Sequence, residues 1–163
     1  MQDFIDEFER YRIIAEKAMA QVSDDSLNQV VAEGGNSIAV IVRHISGNLI
    51  SRFTDFLTSD GEKPWRNRDS EFDEVVYGRK EMTDLWNKGW EVLRIALSEL
   101  NDSDLQKQVT IRGHSLTVQE ALIRSVAHTA HHIGQIVLLA RILKESEWQS
   151  LSIPKNKSKE WTP

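Results

Sequence analysis

The chain contains no cysteine, and that one absence removes disulfides, thiolate metal sites, cysteine-ligated iron–sulfur clusters and cysteine nucleophiles together. Any metal site must be built from His, Asp, Glu or water. Glycine and proline are scarce, 8 and 3 of 163 residues, which excludes collagen-like and low-complexity architectures. No apolar run approaches the roughly 18–20 residues of a membrane span, so no membrane partner is expected. Positive charge is in deficit, with 20 Lys and Arg against 25 Asp and Glu and a net charge of −5. Nucleic-acid binding draws much of its affinity from phosphate neutralisation, so no nucleic-acid partner is expected either. The opening segment, MQDFIDEFERYR, is acidic and amphipathic, unlike a secretory or transit segment. Cytoplasmic location is the default expectation.

What is present is ordinary for a globular chain: 40 % apolar and 28 % charged residues. The length predicts a single domain over 1–163, with 152–163 as an extended tail. Phe4, Ile5, Phe8, Tyr11, Ala15, Ala18, Met19 and Val22 recur at three- and four-residue spacing, predicting an amphipathic helix over 3–22. Ser23 to Ser26 ends it, and Asn36 is placed to cap a second helix over 37–57. Residues 59–72 are polar, contain an exposed-looking Trp65, and are long enough for a crossover between parallel helices. A third helix runs from about Arg79 to Leu100, with Trp86 and Trp90 as packing residues. Gly89 within it costs only helix propensity. VTIRGHSLTV reads as a small hairpin with Gly113 and His114 at its tip. Thr117 and Glu120 form a capping box for a fourth helix that continues past Leu143. The tail is expected to pack only through Leu151, Ile153 or Trp161. The fold class is therefore all-α, a four-helix bundle with a short hairpin before the last helix.

Three of the five histidines fall in AHTAHH, at His128, His131 and His132. His128 and His132 stand about 40° apart around a helix and roughly 6 Å apart along it, so their imidazoles can converge on one ion. His131 lies about 80° off the midpoint of that pair and is less well aimed. Leu122, Ser125, Thr129, His132, Ile136, Leu139 and Leu143 describe the expected core side of the fourth helix, with His128 at its edge. A buried imidazole needs a partner. Either the pair is hydrogen-bonded in the core to Ser125, Gln135 or backbone groups, or it binds metal. His44, in the middle of the second helix, would complete a His₃ set with one coordination position open, an arrangement that favours catalysis over structure. No HExxH motif is present, so the zincin general base is absent. His114 is expected to be exposed. Glu71, Asp73 and Glu74 read as a solvated acidic run. Lys63, Arg66, Arg68, Arg79 and Lys80 read as its locally paired basic counterpart.

The segments RHISGN and HTAHHIGQI, with the capped last helix, resemble the DinB-like superfamily of four-helix metalloproteins. GNLISRFTDFLTSDGEKPWRNRDSEF and the tail SIPKNKSK resemble a bacterial branch of it described as a domain of unknown function. The resemblance implies an up-down-down-up bundle, often a homodimer, in which His44, His128 and His132 hold a divalent metal, Zn or Ni. Some members of the superfamily are thiol transferases acting with a small thiol, and others are maleylpyruvate isomerases. The function expected is therefore that of a metal-dependent enzyme, a thiol S-transferase or a hydrolase acting on a small molecule. Asn48, Arg124 and Gln135, about one helical turn from the histidines, are candidates to orient ligands or substrate. The alternative is a non-catalytic interaction protein in which the metal cross-links two helices.

Overall fold

The computed structural model describes residues 1–73, 75–157 and 159. Its chain order is α1 (Gln2–Met19), α2 (Asp24–Asn28), α3 (Ile38–Phe53), α4 (Arg79–Ser98), β1 (Gln108–Ile111), β2 (His114–Thr117) and α5 (Val118–Lys144), with short 3-10 turns between and after them. No helix among the described residues is long and apolar enough to cross a membrane.

The four long helices form the bundle, and side-chain contacts fix their directions. Phe8, near the start of α1, meets Phe53 at the end of α3 (ring centroids 6.2 Å), so these helices are antiparallel. Arg79, opening α4, donates to the carbonyls of Met19, the last residue of α1, and of Val22 just beyond it (3.2 and 2.6 Å). Trp86 Nε1 reaches Glu16 (3.0 Å), and Trp90 packs on Phe8. α4 therefore also runs against α1. Beyond α5, the Gln149 N–H donates to Gln21 Oε1 (2.8 Å), which sets α5 parallel to α1. The order is up-down-down-up. α3 and α4 run in the same direction, so the connection over 54–78 is the crossover that the polar stretch predicts, with Trp65 on its surface.

Parallel α3 and α4 approach very closely. A Cβ on Gly89 would sit 2.9 Å from the Ser46 Cα. The residue expected to be a mere propensity cost is thus what lets the two backbones meet.

Several boundaries differ from expectation for local reasons. Ser37, not Asn36, caps α3: its hydroxyl accepts from the Val40 N–H (3.3 Å), and the next residue, Ile38, is already in the core. α3 stops at Phe53 and does not reach Leu57. The Thr54 backbone is extended, its hydroxyl takes the Ile50 carbonyl (2.7 Å), and Asp55 follows in the left-handed region at φ +48°. Ser23 does not simply end α1. It caps the short α2, which buries Leu27. The hairpin turns at Arg112 and Gly113, with φ +55° and +74°, so His114 is an exposed first strand residue.

The Thr117–Glu120 capping box is present as read. The buried stripe of α5 runs through Ile133 and Ala140, whereas Leu139, Leu143, His128 and His132 are half-buried along its margin. Leu151 is half-buried and Ile153 exposed; Trp161 lies outside the described residues, as does Glu74.

The crossover is tied to the hairpin. Gly61 N–H donates to the Thr110 carbonyl (2.8 Å). The Asp60 carboxylate accepts from the N–H groups of Arg112 (2.8 Å), Gly113 (2.7 Å) and Glu62 (2.7 Å). These bonds place crossover residues beside α3 and α5.

Candidate metal centre

His44 faces inward from the middle of α3 and is 3 % exposed. His128 and His132 come from consecutive turns of α5. Their ring centroids are 4.6 Å apart and lie 5.1 and 4.7 Å from that of His44. One ring nitrogen from each of the three lies within 4.8 Å of the others. His44 Nε2 and His128 Nε2 are 3.1 Å apart. Nitrogens on a tetrahedral ion at 2.0–2.1 Å stand about 3.3 Å apart, so this spacing suits shared coordination. His131 is exposed and outside the cluster.

Two of the rings are oriented from behind. The ionised Glu71 carboxylate can only accept, so the 2.8 Å contact to His44 Nδ1 puts the hydrogen on Nδ1 and leaves Nε2 with its lone pair towards the other histidines. His132 Nδ1 donates to Gln135 Oε1 (2.9 Å), which frees its Nε2 in the same way. The Gln135 amide nitrogen then donates to His131 Nε2 (3.2 Å).

Glu71 corrects the sequence reading. It is not part of a solvated face; it is buried, at 6 % exposure, and also accepts from Arg66 Nε and Nη2 (2.7 and 2.9 Å). A 3-10 turn over Asp69–Phe72 carries it in, and Phe72 stacks against the His44 ring (4.9 Å). Gly47 makes room, because a Cβ there would run into the Glu71 carboxylate. Only one signal in the sequence pointed to this arrangement: a glycine in the middle of an otherwise strong helix, three residues after a histidine. Of the basic residues, Arg66 pairs with Glu71, Arg79 with Asp24 and Lys80 with Asp84. Lys63 bonds to the Asp60 carbonyl (2.7 Å).

The electrostatics suit metal ligation. Burial lowers the His128 pKa to about 3, helped by His132, His44, Arg66 and Arg52. Burial also lowers that of His132, partly offset by the Gln135 hydrogen bond, with His44, His131 and Arg68 adding to the fall. Both rings are therefore neutral at pH 7, the form in which imidazole donates to a metal. Burial works to raise the Glu71 carboxyl, but the hydrogen bonds from His44 and Arg66 outweigh it and hold the group below the usual carboxylate range.

The three histidines meet a cavity of 430 Å³. Asn48 from α3 and Arg124 and Ser125 from α5 line it, together with Phe53, Phe56 and Ile111. Among the described residues no fourth His, Asp, Glu or Cys joins the cluster, so its open side is that cavity. Of the three residues one turn from the histidines, Asn48 and Arg124 reach the cavity and Gln135 holds His132. His114 lies apart, exposed on the hairpin.

The sequence model of a family described as "Protein of unknown function (DUF1572)" matches residues 1–157. Among solved structures the chain is similar to YfiT from Bacillus subtilis, described as a probable metal-dependent hydrolase with an unusual four-helix bundle topology. The two share 20 % identity over 89 % of this chain and 88 % of that one, with a TM-score of 0.67. No curated protein matches the chain.

Proposed function

The chain belongs to this DUF1572 family and has a DinB-like four-helix-bundle fold, and we propose that it is a metal-dependent hydrolase of a small molecule. His44, His128 and His132 would hold a divalent ion, Zn or Ni. The observation that carries the reading is a three-histidine cluster whose open side is a 430 Å³ cavity. A closed structural site has four protein ligands, whereas a catalytic one keeps a position free. The description of YfiT as a probable metal-dependent hydrolase supports the choice of reaction class.

When bound, such an ion supplies Lewis acidity and a nucleophile at neutral pH. The protein's own residues do the rest. Glu71, itself clamped by Arg66, fixes the tautomer of His44; Gln135 does the same for His132. Phe53, Phe56 and Ile111 give the cavity an apolar wall that limits water, and the Asn48 amide and Ser125 hydroxyl are the neutral polar groups available to orient a substrate.

Elemental analysis of the purified protein beside His132→Ala, after matched dialysis, tests the metal. Near-stoichiometric Zn or Ni in the parent, lost in the variant, is the expected result. A panel of esters, amides and lactones, run with and without added small thiol, then tests the reaction. Hydrolysis that disappears in His132→Ala upholds the proposal; activity only in the presence of thiol replaces it with S-transfer. The homodimer implied by the resemblance belongs to the same proposal, and sedimentation velocity reads it directly.

A further inference from the structure

The cavity beside the histidines is lined by five arginines, Arg52, Arg66, Arg68, Arg112 and Arg124, and by no carboxylate among the described residues. In a chain of net charge −5 that concentration of positive charge is local and specific. Two carboxylates behind the wall compensate part of it. Glu62 pairs with Arg52 (3.0 Å) and Arg112 (2.9 Å), and Glu71 pairs with Arg66. Arg124 has no hydrogen-bond or ion-pair partner among the described residues, and Arg68 stands 4.0 Å from the fully exposed Asp69. An excess of cationic charge therefore remains on the cavity.

Two buried polar groups on the same wall are also unmatched. The Arg66 side chain is 3 % exposed and spends Nε and Nη2 on Glu71, yet its buried Nη1 has no hydrogen-bond partner; the Glu62 carboxylate is 4.0 Å away. The buried Ser125 hydroxyl, one residue from Arg124, likewise has none. Buried donors are nearly always satisfied in native proteins; of the five unmatched buried side-chain atoms among the described residues, these two belong to residues that line the cavity, where a ligand can supply the acceptors.

We propose that the cavity binds an oxyanion, a carboxylate or phosphate group of the substrate, through Arg66 Nη1, the Ser125 hydroxyl and the Arg124 guanidinium, next to the three-histidine cluster. Guanidinium and hydroxyl donors together match the acceptor-rich oxygens of such a group. The volume suits a small molecule. The substrate class is thereby an anionic ester or amide whose charged group lies apart from the bond that breaks. As a statement about substrate this rests on the hydrolase reading; as a binding site it stands without it.

The test is calorimetric titration of succinate and of inorganic phosphate, at constant ionic strength set with chloride, into zinc-loaded and metal-free protein. At least one of the two is expected to bind both forms in the millimolar range or tighter, and the better of the two tells carboxylate from phosphate. Arg124→Gln, whose side chain is exposed, and Ser125→Ala should each weaken binding about tenfold, the effect of one lost charge-assisted or buried hydrogen bond. Binding of neither anion, or equal binding by the parent and both variants, overturns the proposal. Arginine-dependent binding in a protein that retains no metal supports the anion site while refuting the hydrolase. Retained metal without anion binding does the reverse.

Discussion

Glu71 is the residue on which the geometry of the candidate metal centre turns, since among the described residues it is the one that bonds His44 Nδ1 and so leaves Nε2 free to ligate. Glu71→Gln keeps the volume and one acceptor oxygen but removes the charge shared with Arg66. Groups behind a metal-bound histidine are typically worth 10–100-fold in metal affinity, and a loss in that range is expected in competition with a chromophoric chelator.

Gly47→Ala probes the same contact from the other side. In an exposed helix the change would stabilise by about 1 kcal/mol. Here the new methyl displaces the far end of the Glu71 side chain, which can swing away only by releasing His44 and Arg66. Metal affinity is expected to fall about tenfold, and because the buried Arg66 guanidinium loses its carboxylate, the metal-free protein is expected to lose about 2–4 kcal/mol in urea unfolding as well.

His128 gives a pH signature to the metal-free protein. Its folded pKa, about 3, lies below the 6.5 of an unstructured imidazole, so between those values the unfolded chain binds the proton and the folded chain does not. Stability is complete above about pH 6.5 and falls as the pH drops towards 3. Glu71 acts in the same direction, but only below the ordinary carboxylate range near 4.5. The urea midpoint should therefore fall between pH 6.5 and 5 in the parent, and fall less in His128→Gln.

The histidines were legible in the sequence because an i, i+4 pair and a mid-helix histidine are local patterns. Glu71 was not: its burial depends on a turn 27 residues from His44 folding back over α3.

Between elements, the close approach of α3 and α4 governs how the site is framed, because it fixes the α3 backbone two residues beyond His44. Gly89→Ala tests it. The added methyl would meet the Ser46 Cα and its carbonyl oxygen, at 2.9 and 3.2 Å, and backbone cannot rotate away as a side chain can. A destabilisation of about 1–3 kcal/mol is expected from denaturant unfolding despite the gain in helix propensity. A neutral or stabilised variant would show that the two helices slide apart freely. The contrast with Gly47→Ala separates the two glycines: Gly89→Ala should cost stability alone, Gly47→Ala ligation as well.

Helix periodicity, the capping box and the hairpin could be read from residues adjacent in sequence. The Gly89 contact could not, since nothing local distinguishes a glycine tolerated in a helix from one required by its neighbour. The same limit explains the end of α3. Apolar spacing continues through Phe56, which is indeed buried, while the backbone has already left the helix at Thr54.

For the molecule as a whole, the question is whether an ion held by the three histidines would hold the bundle together or be held by it. Buried apolar side chains from α1, α3, α4, α5 and the hairpin form one continuous core that includes Phe8, Leu49, Trp86, Leu93, Leu122 and Ile136. The three histidines stand at its margin, joining α3 to α5 at a single level. Such a core does not need a metal staple, unlike small domains that fold only around one. Removal of metal by chelation and dialysis should therefore leave the far-ultraviolet circular dichroism unchanged. Re-addition acts by mass action: free Zn²⁺ at 100 times the dissociation constant adds about 2.7 kcal/mol. For a chain of this length that raises Tm by roughly 5–11 °C. His128→Ala and His132→Ala should each abolish the rise while keeping the helical spectrum. Loss of the fold on chelation would instead identify the ion as a structural cross-link, and the hydrolase proposal would lose its basis with it.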